Sequence, residues 1–152
     1  MTSVYEGLIC DLKIKLKNKN IKFNKVVNLI NNQKYDEIII IINDETIHTL
    51  IQNIETERIR IGNSMEKKLN NLVWLNERLI QFGEEPQPSK TKALKLLKKT
   101  VFINIYDLEA EKYEKRTTCL LLKKELRKIP EKRFPLYIAK ENITLKCFLI
   151  AM

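Results

Sequence analysis

Apolar positions recur along this chain mostly at intervals of three and four, the period of a helix with one buried face. Tyr5, Leu8, Ile9, Leu12 and Leu16 follow it, which predicts a helix over Val4 to Asn18. Val26, Val27, Leu29 and Ile30 predict a second over Ile21 to Asn31. Leu69, Leu72, Val73, Asn76, Leu79 and Ile80 predict the clearest one, from Ser64 as N-cap to Phe82, with Gly83 as its stop. Ser89 opens a helix that runs to about Lys99, and Thr118 to Ile129 form another, ended by Pro130. Pro135 suits the first turn of a last helix, on which Leu145, Phe148, Leu149 and Met152 share a face.

Two stretches break the period. "DEIIIIIND" carries five consecutive isoleucines, Ile38 to Ile42, and then "DETIHTLIQNI" reads as a capped helix. β-branched residues favour a strand locally, while the helical surroundings favour a helix with Asp36 and Asp44 as caps. We expect helix, with a short strand at 38–42 as the alternative. "TVFINIYDL" poses the same choice, a strand at 101–106 or a turn into a helix capped by Asp107. Only three glycines and four prolines punctuate 152 residues, too few turns for an all-β chain. The expectation is a mainly α, compact bundle of six or seven helices; an α/β fold is the alternative. One domain spans 1–152, with a subdivision into 1–82 and a basic 90–152 at the linker "GEEPQPS", 83–89.

Charge changes the picture more than composition does. The net charge is +9. Residues 1–75 hold 11 basic and 9 acidic side chains, net +2, and residues 76–152 hold 17 and 10, net +7. A basic half raises the expectation of an acidic partner, nucleic acid first. The richness in Ile, Lys and Asn also resembles the drift of an AT-rich genome, which would inflate lysine without function. On the helix 89–99, Ala93, Leu94 and Leu97 form the apolar stripe and Lys92, Lys95 and Lys99 lie together on a flank, with Lys98 apart. A second cluster comprises Lys112, Lys115, Arg116, Lys123, Lys124, Arg127, Lys128, Lys132 and Arg133, with Tyr113 and Phe134 interleaved as aromatics able to stack on bases. The expected phosphate contacts are Lys92, Lys95, Lys99, Lys123, Lys124, Arg127 and Lys128. The lysines between Lys13 and Lys25 spread around their helix and read as a solubilising surface.

Catalysis finds little footing. His48 is the only histidine, and Cys10, Cys119 and Cys147 are too far apart for a zinc pattern, so neither a metal nor a cofactor is expected. Each cysteine, set among apolar neighbours, reads as a small buried hydrophobe. The isolated glycines make no phosphate loop, and of the three serines two, Ser64 and Ser89, are better read as caps. Asp36, Glu37, Asp44 and Glu45 with Lys34, or Asp107, Glu109 and Glu111 with Lys112, are the sets that a metal-dependent nuclease would need to converge. They read instead as caps and helix-start charges. No apolar run reaches a membrane span, and the first residues lack the basic-then-apolar order of a signal peptide. The reading is therefore a non-enzymatic, intracellular binding protein of the nucleus or cytoplasm that contacts nucleic acid within a larger complex. The rival reading is a protein–protein adaptor using Trp74 and the Leu145, Phe148 and Leu149 face. Both leave room for self-association.

Over residues 74–108 the chain resembles a pattern in small uncharacterised fungal proteins. It is carried by Trp74, Asn76, Gly83, Pro86, Lys90, Thr91, Ala93, Asn104, Ile105, Asp107 and Leu108. The resemblance implies a helical intracellular protein and no particular reaction.

Overall fold

The computed structural model describes residues 3–112 and 118–149. Tyr113, Lys115, Arg116 and Met152 lie outside the described residues. The fold is mainly helical. Ten α-helices occur among the described residues: α1 (Val4–Asn18), α2 (Phe23–Asn31), α3 (Tyr35–Ile41), α4 (Glu45–Leu69), α5 (Leu72–Gln81), α6 (Lys90–Thr100), α7 (Ile105–Glu109), α8 (Cys119–Lys128), α9 (Leu136–Ala139) and α10 (Ile143–Phe148). A 3₁₀ turn, Pro130–Lys132, follows α8. No helix among the described residues is long and apolar enough to cross a membrane.

The first helix forms as its pattern requires. Ser3 caps it, accepting the Glu6 backbone N–H at 3.2 Å, and Tyr5, Ile9, Leu12 and Leu16 are buried. It ends where Asn20 takes a positive φ of 56° and the Ile21 N–H returns to the Leu16 carbonyl at 2.9 Å. The same closure ends α2 at Gln33 and α5 at Gly83, whose φ is 83°.

The 25-residue α4 is the axis of the molecule. Asp44 caps it through the Thr46 and Ile47 N–H groups. Ile47, Ile51, Ile54, Arg58, Ile61 and Met65 face inward at alternating steps of four and three. Helices α1, α5, α7, α9 and α10 all pack on α4, and α6 packs on α5. One core cluster runs from Tyr5 to Phe148 and takes side chains from both sides of residues 83–89. Each fully buried Leu or Ile in it contributes roughly 1.5–3 kcal/mol.

Several expectations need correction. Ser64 caps nothing: it lies inside α4, and the expected helix 64–82 is divided at Asn70–Asn71. Asn71 begins α5 by accepting the Trp74 N–H at 3.2 Å, because a short amide satisfies a helix start better than it fits a helix interior. No strand forms at 38–42 or 101–106; the described residues hold no β-strand at all. A β-branched run needs a pairing neighbour along its length to gain from its propensity, and pairing in 101–106 goes no further than a single bridge at Phe102. Residues 35–41 form α3 instead, and only Ile38 on it is buried. Residues 101–104 are extended, and then Asn104, rather than Asp107, caps α7 by accepting the Asp107 N–H at 3.0 Å. The helix count exceeds six or seven because Asn104, Pro130, Pro135 and Asn142 cut the C-terminal third into short pieces.

Candidate nucleic-acid interface

Helix α6 is built as a charged lever on an apolar foot. Ser89 accepts the Lys92 N–H at 3.3 Å, and Ala93 and Leu97 are fully buried against α5 and the core. At about 100° per residue, Lys92, Lys95 and Lys99 fall opposite that pair. All three are exposed. The remaining lysines of α6 turn to the flanks, where Lys98 donates to the Cys147 carbonyl and Lys90 to Asn70 Oδ1 at 3.1 Å. No aspartate or glutamate occurs on α6.

Helix α8 supplies the other expected contacts. Thr118 caps it through the Leu121 N–H, and Leu122 is buried. Lys124, Arg127 and Lys128 are exposed and Lys123 is half-buried. Its single acid, Glu125, turns inward to Lys132 Nζ at 3.0 Å and Asn104 Nδ2 at 3.3 Å. The two helices border a shared apolar cleft formed by Val101, Leu122, Leu126, Phe148 and Leu149. None of the seven expected cations is ion-paired with a described residue, whereas Lys13, Lys19, Arg60, Arg78, Lys112 and Lys132 all are.

The wider second cluster does not hold together. Lys112 is bound to Glu6 at 2.6 Å and Lys132 to Glu125. Arg133 caps the end of α8, donating to the Leu126 and Arg127 carbonyls. Phe134 is no stacking platform, since its ring packs 5.8 Å from that of Tyr106. The expected partner surface is also revised. Leu145 and Phe148 are 0% and 6% exposed, because α10 lays that face on α4. Leu149 is partly buried beside them. Trp74 is half-buried, with the Arg78 guanidinium 5.4 Å from its ring centre.

The chemistry-bearing residues do not converge. His48 Nε2 lies 2.8 Å from the Ile42 carbonyl, closing the corner between α3 and α4. Asp44 is a cap, Asp107 is bonded to Asn104, and Glu109 pairs with Arg60. No group of three metal-ligating side chains occurs among the described residues. The cysteines are less buried than expected: Cys10 and Cys147 are exposed and Cys119 is half-exposed. Cys10 and Cys147 stand one position from a buried neighbour, Ile9 and Phe148, and so turn off the buried stripe.

The pattern hid one polar centre. Arg58 is 1% exposed in the middle of the α4 stripe. Its Nη1 donates to Asn31 Oδ1 at 2.8 Å and its Nη2 to the Tyr5 hydroxyl at 3.2 Å. The Tyr5 and Tyr106 rings stack 3.9 Å apart beside it. Nearby, Glu55 accepts both the Tyr35 and Tyr137 hydroxyls. Burial, and then the bond to Glu55, push the Tyr137 phenol up to about 12. The same causes raise Tyr35, so both remain donors at neutral pH. An arginine at the 58 position of an otherwise isoleucine stripe was the signal available in the sequence. Against known proteins the chain stands apart: no family model, no curated protein and no solved structure matches it.

Proposed function

We propose that this is a non-catalytic protein that binds nucleic acid through the phosphate backbone, with α6 as the contact. One observation carries the reading. Lys92, Lys95 and Lys99 project from a buried helix foot, on a helix without a carboxylate, and none of them is ion-paired with a described residue. Unneutralised ammonium groups on a fixed scaffold keep their full field for an incoming polyanion. Each phosphate they meet releases condensed counterions, with a slope of about −0.9 per contact on duplex DNA. Lysine is a point charge, so the reading favours contact with the backbone over readout of bases. A nucleic-acid partner implies the nucleus or the cytoplasm as the place of action.

The test is a titration of labelled duplex and single strands at two salt concentrations. Binding should fall steeply with salt. Lys95→Glu/Lys99→Glu should weaken it at least about ten-fold and flatten the salt slope by roughly two. Weak binding that ignores both salt and the double substitution would sink the proposal.

A further inference from the structure

Helix α8 differs from α6 in what lies among its cations. Leu120 and Leu121 are 63% and 53% exposed. They lie three to eight positions before Lys124, Arg127 and Lys128, on the same outer side of the helix. A phosphate backbone gives leucine nothing to bury against.

A face of opposite charge and similar apolarity occurs elsewhere. On α3, Ile38 turns inward and Ile39 and Ile40 are 61% and 83% exposed. Asp36 and Glu37 flank them, and Glu45 follows at the start of α4. None of these three acids is ion-paired with a described residue. Beside Ile39 a groove of about 500 Å³ opens between α3 and α4, with Tyr35, Ile42 and Ile51 in its lining and Asp44, Glu45 and Glu55 at its polar edge. Asp44 is paired with Lys19 and Glu55 with two phenols, which leaves Glu45, with Asp36 and Glu37 nearby, as the charge there that no described residue pairs. An apolar floor with an acidic rim fits a helix that shows leucines among lysines. In this chain α3 packs on α2, whereas α8 packs on the 3₁₀ turn, so the two faces are separate surfaces.

We propose that α8 of one copy docks on the α3–α4 groove of a second copy. Charge complementarity sets the orientation and the two leucine–isoleucine pairs supply the buried contact. The contact joins two different patches, so it is heterologous and grows into a ring or an open chain. It uses none of Lys92, Lys95 and Lys99, so it stands independently of the α6 reading.

The test is sedimentation velocity of the full chain from low micromolar to several hundred micromolar. The average mass should rise above the 18.0 kDa of one chain, less so at high salt. Leu120→Ser/Leu121→Ser and Ile39→Ser/Ile40→Ser should each remain a folded monomer by circular dichroism. Mixed in equal amounts, they should form a dimer that grows no further, because one supplies an intact groove and the other an intact α8. A wild-type chain that stays monomeric throughout overturns the proposal. So does a mixture that stays monomeric, or association that survives either substitution. Should the leucine variant associate normally yet lose nucleic-acid binding, α8 belongs with the phosphate contacts and the docking is refuted.

Discussion

A guanidinium buried on an isoleucine stripe is the least expected residue in this molecule. No carboxylate pairs with Arg58 among the described residues; an amide oxygen accepts from Nη1 and a phenol from Nη2, and Nε has no acceptor among them. Neutral acceptors offset only part of the desolvation of a charge. Truncation and apolar replacement should therefore differ. Arg58→Ala leaves a cavity and an unpaired Asn31 Oδ1, while the Tyr5 hydroxyl still donates to the Glu131 carbonyl, and should cost about 3 kcal/mol. Arg58→Met fills the volume but strands the same Asn31 oxygen, so it should cost about 1–2 kcal/mol, less than the alanine variant by the cavity it avoids. Urea denaturation midpoints separate the two, and equal losses would show that the charge itself is needed. Two glycines test packing in the same way. A Cβ at Gly7 meets nothing within 4 Å, so Gly7→Ala should gain about 0.5–1 kcal/mol of helix propensity. A Cβ at Gly62 would stand 3.0 Å from both Ile138 Cγ2 and Phe134 Cζ and 3.2 Å from Asn142 Nδ2. Overpacking of about 1–3 kcal/mol exceeds the propensity gain there, so Gly62→Ala should lower the thermal midpoint while Gly7→Ala raises it.

At the level of elements, what could be read from the sequence was what neighbours in the chain decide. Asp44 and Ser89 cap the helices they are expected to open, and Ser3 and Thr118, for which no cap is expected, do the same; each side-chain oxygen reaches an N–H three residues on. The break at Asn70–Asn71 was hidden because an apolar period continues across it, from Leu69 to Leu72. The start of α10 was hidden for another reason: its cap is distant. Asn142 makes no side-chain cap, and Glu66 of α4 accepts the Thr144 N–H at 2.9 Å and the Leu145 N–H at 2.8 Å. Burial raises the Glu66 pKa, but those two backbone donors outweigh it and hold the carboxyl below its ordinary range. A depressed folded pKa stabilises the fold above the unfolded value and loses that contribution as pH falls through the folded one. Glu66→Gln should thus cost about 1–2 kcal/mol near neutrality. The difference from wild type should shrink below roughly pH 4.3, the ordinary glutamate value. A difference that stays constant down to roughly pH 3 would mean that the carboxylate charge contributes nothing. Two asparagines also act at this level. Asn76 clamps the linker through both the Gln87 N–H and carbonyl, and Asn104 with Asp107 opens α7.

Across the whole molecule, the candidate site was more legible than the way it is supported. The lysine flank of α6 follows from spacing alone, because one helix sets which side faces out. That Glu6 occupies Lys112, and that Leu145 and Phe148 are core, depends on partners far away in sequence, while Lys132 and Arg133 are held by groups six or seven residues back, across the turn after α8; helix periodicity reports neither. The same distance-blindness affects the linker. Residues 83–89 look like a boundary by composition, yet the core on either side is shared: α6 packs on α5, α10 docks on α4, and Tyr106 stacks on Tyr5. A core that draws Leu12 and Met65 together with Leu97 and Leu145 leaves neither part with a complete set of contacts. Unfolding should therefore be one transition, with far-ultraviolet dichroism and Trp74 fluorescence tracing the same urea curve. Fluorescence would report α5, on which α6 packs, and dichroism the helices as a whole. If Trp74 changed at a lower urea concentration than the helices, residues 90–152 would be coming away first and the shared core would not couple the two parts.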